Sequence, residues 1–396
     1  TPAQSASSLN FALEVAIRSI DFYDEYFGVP YPLPKSDHVA LPDFSSGAME
    51  NWGIITYRET CLLVGDSTSL PAKQFTGTVI AHELAHQWFG NLTTMEWWND
   101  LWLNESFASL MEHYAIDQIY PDWQIWRNFE TQEVVSALRR DAIAGVQSIQ
   151  QDVEHPDEIS TLFDSAIVYA KGERMLRMLQ VLIGEDGFRA GLKSYFEKYS
   201  YKNTVATNLW NELGKAADFD VAGLMNSWLT KPGYPVITAE REGNTMKLSQ
   251  KRFLTDGKTD GTFWQIPLFA SSENSPRIMQ DKEISFEISD DNFQLNVGNF
   301  SHFITHYDDG LRAKLNENLA SIPESDRLKL INESMMLGRS GLASSADLID
   351  MLRSLQDESS PAVWDLMSLA IGDIRRIIED DHFATNNLKH LAGQLA

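Results

Sequence analysis

The chain has 396 residues, of which 43% are hydrophobic and 22% are charged, and its formal net charge is -24. This length allows more than one domain, and the composition is that of folded proteins and excludes a mainly disordered chain. The acidic charge argues against nucleic acid and anionic membranes as partners, and no apolar run reaches the roughly 18 residues of a membrane span. The single cysteine, Cys61, excludes an internal disulfide and predicts a reducing, cytoplasmic location.

The first predicted elements surround a short glycine-containing stretch. Apolar residues recur at helical spacing over 11–26, and strands are predicted over 38–44 and 52–60 because β-branched and aromatic residues bunch there. Between the strands lie Gly47, Ala48, Met49, Glu50 and Asn51. This stretch is therefore predicted at a bulge or sheet edge, where an extended peptide could pair with its backbone. For Glu50 alone, the pattern leaves an exposed turn carboxylate as the alternative.

The next two predicted helices carry a candidate metal site. They are predicted over residues 76–88 and 99–119. His82 and His86 lie four residues apart, so one helix face presents both imidazoles to a single zinc ion. Glu105 on the second helix completes three ligands and leaves a fourth position open, as catalytic zinc requires. Glu83 points about 100° away from His82, which suits a base that acts on water. The alternative is two core histidines beside solvated carboxylates.

Two further side chains on predicted helices are candidates for the site. Glu112 lies seven residues after Glu105 on the same helix face, where it could orient a histidine ligand. The alternative for Glu112 is an exposed carboxylate. Helices are also predicted over residues 122–140, 162–183, 187–199 and 207–229. Tyr169 lies in the second of these, where a lone tyrosine is usually a packed core residue.

The remaining chain changes character after the Pro/Gly cluster at 231–235. Short alternating strands are predicted over residues 245–253, 263–269, 284–288 and 293–297, which together indicate a small β-sandwich. Helices are predicted over residues 326–337, 345–355 and 361–378, and their short connections indicate the beginning of a solenoid-like helical domain. The predicted domains are therefore 1–232, 233–314 and 315–396.

Three motifs together carry a family resemblance. They are Gly47-Ala48-Met49-Glu50-Asn51, the histidine motif with Glu105, and Tyr169-Ala170-Lys171-Gly172. In order and spacing they resemble the aminopeptidase N family of zinc peptidases, gluzincins with a G-A-M-E-N signature, and in particular its lactic-type bacterial members. The resemblance implies a multidomain, mainly α protein whose catalytic domain is a thermolysin-like α+β fold. It also implies one Zn²⁺ per chain. Ser106 departs from the pattern, because many relatives carry glycine there.

The resemblance further implies roles for individual residues. Glu83 is expected to be the general base, and the hydroxyl of Tyr169 is expected to stabilise the oxyanion. Glu50 is expected to bind the free α-ammonium of the substrate, within a substrate-binding stretch formed by the whole G-A-M-E-N motif. The expected substrates are peptides with a free N-terminus, cleaved with broad side-chain specificity by a zinc-activated water.

The family's usual extent leads to two further expectations. The chain is expected to be a fragment that lacks the N-terminal domain and the end of the helical domain, and the full-length protein is expected to be a monomer. Two other functions remain open at this stage. One is a zinc endopeptidase of the thermolysin type, which shares the ligands but lacks the amine anchor. The other is a catalytically dead binding or scaffold protein.

Overall fold

The structure is a computed structural model that describes residues 3–289 and 292–395. Its architecture is mixed, mainly helical with small sheets, as the sequence predicts. The chain forms two compact units, Thr1–Trp126 with Ile149–Thr230, and Arg127–Ser148 with Lys231–Ala396. Among the described residues, no helix combines the length and the apolar character needed to cross a membrane.

The first 128 residues contain the elements that carry the histidine motif. The helices are α1 (Asn10–Phe27), α2 (Leu70–Ala85), α3 (Trp102–Ile119) and α4 (Ile125–Asn128), and the strands are β1 (Asp37–Leu41), β2 (Ala48–Met49), β3 (Ile54–Arg58) and β4 (Thr93–Met95). The order β1-β3-β2 makes β2 an edge strand, antiparallel to β3, while β1 runs parallel to β3. The prediction that the glycine-containing stretch lies at a sheet edge is thus confirmed.

A buried tyrosine fastens α1 to the two helices that carry the histidines and glutamates. The Tyr23 hydroxyl lies 2.9 Å from the Ala81 carbonyl of α2 and 3.1 Å from the Met111 carbonyl of α3. The helix itself ends at Gly28, whose φ of 61° is the left-handed conformation that terminates helices, and its N–H bonds the Asp24 carbonyl. The relative positions of α2 and α3 are therefore fixed from behind by a third helix.

The segment Arg127–Ser148 belongs to the second unit, although the predicted boundary at 232 groups it with the first. It holds a π-helical turn and the helix α5, over Phe129–Glu133 and Val134–Asp141. The physical reason lies at the end of α5, where buried Asp141 accepts a hydrogen bond from the Gly233 backbone N–H at 2.8 Å and lies 3.2 Å from His302 Nε2. These partners are distant in sequence, so no local pattern announces them.

The rest of the first unit is helical apart from one short strand. Its elements are α6 (Ile159–Leu162), a π-helical turn (Ser165–Lys171), α7 (Gly172–Ile183), α8 (Glu185–Tyr199), β5 (Lys202–Thr204), α9 (Ala206–Leu213) and α10 (Val221–Leu229). The single helix predicted over 207–229 is thus two helices, and the one predicted over 162–183 includes a π-helical turn. The strand β5 pairs in parallel with β4.

The second unit combines small sheets with helices. Its strands are β6 (Pro235–Glu242), β7 (Thr245–Arg252), β8 (Ile266–Pro267), β9 (Ile278–Met279), β10 (Glu283–Glu287) and β11 (Ile304–Tyr307), and its further helices are α11 (Asp309–Asn318), α12 (Glu324–Ser340), α13 (Ser345–Arg353), α14 (Pro361–Ile377) and α15 (His382–Leu395). The larger sheet has the order β10-β7-β6-β11. The helices predicted near α12, α13 and α14 are confirmed.

The strand predicted over 293–297 is wrong. These residues form a loop in which Asn296 and Gly298 have φ values of 53° and 79°, which are incompatible with a strand. Its backbone bonds two other parts of the unit without forming a strand ladder. The Asn296 and Val297 N–H groups donate to the carbonyls of Leu268 and Phe269, at 2.8 and 2.9 Å. The buried Lys329 ammonium donates to the carbonyls of Leu295 and Asn296, both at 2.8 Å.

Candidate metal centre and active site

The end of α2 and the start of α3 bring three metal-binding side chains together. His82 lies in the last turn of α2, His86 directly follows that helix, and Glu105 lies in the first turn of α3. The two Nε2 atoms are 3.1 Å apart, and each lies 3.3 Å from Glu105 Oε2. Within residues 3–289 and 292–395, this is the group of three whose ligand atoms all lie within 4.8 Å of one another.

These distances fit a tetrahedral metal site. Ligand bonds of about 2.0–2.1 Å at tetrahedral angles separate the ligand atoms by about 3.3 Å. The separations among His82, His86 and Glu105 have this size. Two imidazole nitrogens and one carboxylate oxygen are also the donor set of catalytic zinc sites. The residues present could therefore hold a divalent metal such as zinc.

Each histidine is oriented by a partner on its other ring nitrogen. His82 Nδ1 lies 2.6 Å from Glu112 Oε2, and His86 Nδ1 lies 3.0 Å from the Phe89 carbonyl oxygen. A carbonyl only accepts, so His86 Nδ1 donates a hydrogen bond to it, and Nε2 is the nitrogen that would bind a metal after losing its own proton. The structure thus places Glu112 beside a ligand, where the sequence analysis expects an orienting carboxylate.

The electrostatics of the centre favour a positive charge next to Glu105. Burial opposes ionisation of Glu105, but His86 and His82 outweigh it and hold the pKa of Glu105 well below its usual range. Burial likewise opposes protonation of His86, but Glu50 and Glu105 raise its pKa to about 9. A bound cation would satisfy the same carboxylates without protonating the histidines.

Glu83 is buried beside the ligands with an unused oxygen. Its side chain is 6% exposed, and its Oε2 has no hydrogen-bond partner among the described residues. Burial raises the pKa of Glu83 to about 7, although the nearby His82 and His86 pull it down. A carboxylate with a pKa near the working pH is suited to accept and return a proton.

Tyr169 reaches the centre from the π-helical turn before α7. Its ring centroid lies 6.0 Å from that of His82. Burial raises the pKa of Tyr169 far above its usual range, with further contributions from the charge of Glu105 and a hydrogen bond to it. The hydroxyl therefore stays protonated and can donate a hydrogen bond. In the turn itself the Gly172 N–H reaches back five residues to the Ile167 carbonyl, a spacing that α-helical periodicity does not reveal.

Glu50 follows the edge strand β2 and is held at the same centre. Its carboxylate lies close enough to raise the pKa values of His86, Glu83 and Tyr169. Its main-chain carbonyl accepts hydrogen bonds from Asn91 Nδ2 at 2.8 Å and Gln87 Nε2 at 3.3 Å. Neither amide is predicted from the sequence, because neither belongs to a recognisable metal-binding or substrate-binding motif.

The other members of the glycine-containing stretch line the sheet edge. Gly47 accepts a backbone hydrogen bond from Arg58, Ala48 and Met49 pair with β3, and the Asn51 amide donates to Thr56 Oγ1 at 3.1 Å. The Met49 side chain is 44% exposed. Gly47, Ala48, Met49 and Asn51 are thus held at the edge of the sheet by β2 and its flanks.

A buried serine connects helix α3, which carries Glu105, to the π-helical turn. Ser106, which directly follows Glu105, is fully buried, and its hydroxyl donates to the Val168 carbonyl at 2.6 Å. A Cβ at Gly172 would lie 2.0 Å from Ser106 Oγ, so only glycine fits there. The residue at which the sequence departs from the family pattern therefore holds the backbone next to Tyr169.

Comparison with known proteins gives two family matches. Residues 11–228 match the peptidase family M1 domain, and residues 293–396 match an ERAP1-like C-terminal domain. The chain is 43% identical over 405 residues to aminopeptidase N of Lactococcus lactis subsp. cremoris, covering 100% of the chain and 48% of that protein. It is 45% identical over 401 residues to aminopeptidase N of Lactobacillus helveticus, covering 99% and 47%.

A more distant relative has the same kind of name. The chain is 40% identical over 329 residues to a leucyl aminopeptidase of Saccharolobus solfataricus, covering 82% of the chain and 41% of that protein. The chain spans about half the length of the curated relatives it matches.

Proposed function

The chain belongs to peptidase family M1, and we propose that it is the metal-binding part of a zinc aminopeptidase that removes the N-terminal residue from peptides. The observation that carries the proposal is the group His82, His86 and Glu105, with the buried carboxylate of Glu83 beside it. The names of the relatives support the same activity.

The chemistry divides between the metal and the side chains around it. When bound by His82, His86 and Glu105, zinc supplies a Lewis acid that acidifies water and polarises a carbonyl. Glu83 takes the proton of the attacking water and later returns it to the leaving amine. The Tyr169 hydroxyl donates a hydrogen bond to the carbonyl oxygen as negative charge develops on it.

Glu50 supports removal of single N-terminal residues instead of internal cleavage. Its carboxylate, close to Glu83 and Tyr169, is a partner of the right charge for a substrate α-ammonium. A peptide held there by its amine presents the first peptide bond to the reacting groups. A thermolysin-type endopeptidase has no use for such an anchor.

The family matches also support a domain division. We propose a thermolysin-like peptidase domain at 1–232, a β-sandwich at 233–314 and the beginning of a helical solenoid at 315–396. The M1 and ERAP1-like matches support the first and the last. One zinc ion per chain, broad specificity, a monomeric full-length protein and a cytoplasmic location stay predictions.

The test compares matched substrates with free and acetylated N-termini, using the zinc-loaded chain and a panel of aminoacyl reporters. We expect hydrolysis of the free-amine member only. The Glu83→Gln variant should bind one zinc and lose turnover, because Glu83 moves protons and is not a ligand. Cleavage of acetylated peptides at internal bonds would favour the endopeptidase, and failure to bind zinc would favour the scaffold protein.

A further inference from the structure

We propose that Asn91 is a positioning residue for amine recognition, because its side chain fastens the backbone of Glu50 to the zinc-binding helix. This inference rests on the proposed function, since it concerns how the amine anchor is held. Asn91 touches neither a metal ligand side chain nor a substrate group in the proposed mechanism. Its effect therefore passes entirely through Glu50.

Asn91 bonds the anchor strand and a zinc ligand at the same time. Its side-chain Nδ2 donates to the Glu50 carbonyl at 2.8 Å, and its own backbone N–H donates to the His86 carbonyl at 3.0 Å. One residue thus joins the main chain of the proposed amine anchor to the main chain of a proposed zinc ligand. The distance between the Glu50 backbone and the His86 backbone therefore depends on Asn91.

The turn that carries Asn91 is itself tightly held. The Thr94 hydroxyl donates to the Gly90 carbonyl at 2.7 Å, and the Gly90 N–H donates to the Thr93 carbonyl at 2.9 Å. Gly90 has a φ of 125°, and a Cβ there would lie 3.3 Å from Asn104 Nδ2. Asn91 is therefore presented from a rigid turn, which makes its hydrogen bond a positional constraint.

A second amide reinforces the same carbonyl. Gln87 is fully buried, and its Nε2 lies 3.3 Å from the Glu50 carbonyl and 3.0 Å from the Glu83 carbonyl. The Glu50 carbonyl therefore faces two donors, both from the turn that follows α2. Two side chains that lie four residues apart in the turn after α2 converge on one backbone atom.

The strand itself cannot supply this constraint. The strand β2 has two residues and lies at the sheet edge, and its register with β3 ends at Met49. Glu50 is the first residue beyond that pairing, so its backbone lacks a ladder partner in the sheet. A reacting group misplaced by about 1 Å can cost about 10²-fold in rate, so the placement of Glu50 matters.

The experiment measures how much a zinc-loaded chain prefers a ligand with an α-amine. The probes are an α-amino hydroxamate and the same hydroxamate without the amine, and their dissociation constants are measured by calorimetry. The parent should bind the amino compound more tightly. In Asn91→Ala we expect this preference to fall about tenfold, the usual size of one hydrogen bond, with binding of the des-amino compound almost unchanged.

Two variants keep the test decisive. Asn91→Asp retains the size of the side chain but removes its donor, so it should lose the preference as Asn91→Ala does. Asn203→Ala removes a comparable amide bond, from Asn203 Nδ2 to the Met95 carbonyl at 3.2 Å, and should leave the preference intact.

The outcomes separate this inference from the proposed function. Three results would overturn the positioning role. The first is equal weakening of the binding of both hydroxamates, and the second is loss of zinc from Asn91→Ala or Asn91→Asp. The third is an unchanged preference for the amino compound in both Asn91→Ala and Asn91→Asp. A parent chain with no preference for the amine would instead overturn the proposed aminopeptidase function.

Discussion

The imidazole of His82 is fixed on three sides. Glu112 contacts its Nδ1 at 2.6 Å, the ring of His86 meets it edge-on with centroids 4.6 Å apart, and the Tyr169 ring lies 6.0 Å away. A ligand held in this way pays little entropy when a metal binds, because its ring is already oriented. We therefore expect that substituting a residue that orients His82, but is not itself a ligand, changes the affinity for zinc.

Replacing the partner of His82 tests this directly. In Glu112→Gln we expect the zinc dissociation constant to rise about 10–100-fold, because the neutral amide orients and polarises the imidazole less well. Competition with a chromogenic chelator measures the change. The control is Glu14→Gln, which alters an exposed carboxylate paired with Arg18. An unchanged zinc affinity in Glu112→Gln would reduce Glu112 to a packing residue.

Removing one hydroxyl tests the oxyanion role of Tyr169. We expect Tyr169→Phe to lower kcat by about 10²–10³ with little change in KM, because the lost hydrogen bond forms mainly in the transition state. Steady-state kinetics on a free-amine reporter measures both constants. Tyr199→Phe provides the comparison, since the Tyr199 hydroxyl bonds Asn208 instead of the metal centre. A rise in KM at constant kcat would indicate substrate binding.

Among the elements, the π-helical turn Ser165–Lys171 receives a side-chain hydrogen bond from a neighbouring helix. Ser106 of α3 satisfies the Val168 carbonyl within this turn. In Ser106→Ala the hydrogen bond from this buried hydroxyl to the Val168 carbonyl is lost, so we expect a loss of about 1–3 kcal/mol in the free energy of unfolding. Denaturant titration measures it.

The matched control is Ser109→Ala on the same helix. The Ser109 hydroxyl bonds the Glu105 carbonyl four residues back, an acceptor that lies within the helix itself. We therefore expect a smaller loss there, about 1 kcal/mol or less. Equal losses for the two variants would show that the contact to Val168 has no special weight.

The strand β1 carries a group whose protonation should weaken the fold. Burial lowers the pKa of His38 from 6.5 to about 4, and its Nδ1 lies 3.0 Å from the Tyr57 hydroxyl of β3. Because the folded state binds this proton less readily than the unfolded state, its contribution is complete above pH 6.5 and declines as the pH falls towards 4.

The size of the stability loss follows from the lowered pKa of His38. Between about pH 7.5 and about pH 5, His38 should account for a loss of about 2 kcal/mol of stability, which His38→Gln should not show. Denaturant titrations of the parent and variant at both pH values measure the difference. His155→Gln, at an exposed position, should retain the slope of the parent. Identical slopes in the parent and His38→Gln would contradict the assignment.

The features that could be predicted from the sequence are those set by residues close together in the chain. His82 and His86 are four residues apart, in the last turn of α2 and at its C-cap, and Glu112 lies two turns beyond Glu105, so helical geometry alone predicts these pairs. Asn91 could not be predicted in this way, because its partner Glu50 lies 41 residues earlier, directly after an edge strand. The contact of the π-helical turn with Ser106 could not be predicted for a similar reason, because Ser106 lies on another helix, 62 residues before Val168.

For the whole molecule, the net charge of -24 is the dominant electrostatic property. A field of this sign attracts cationic ligands, and salt screens it over about 10 Å at 0.1 M ionic strength. We expect kcat/KM for a lysyl reporter, which carries a side-chain charge besides its α-ammonium, to fall more steeply between low salt and about 0.3 M salt than kcat/KM for an alanyl reporter, which carries the α-ammonium alone. Parallel salt dependences for the two reporters would exclude steering by net charge.

The π-helical turn also has a consequence for how the chain can change by insertion and deletion. A π-helical turn holds one residue more than the α-helical turn that could replace it, and each residue turns an α-helix by about 100°. Loss of one residue between Ser165 and Ile167 would let the turn close as an ordinary helix while α7 kept its place. The phenol of Tyr169 would then keep its direction only if the residue were removed on its N-terminal side, whereas removal after Tyr169 would rotate it away from His82. The direction of the Tyr169 side chain therefore depends on the number of residues in the π-helical turn.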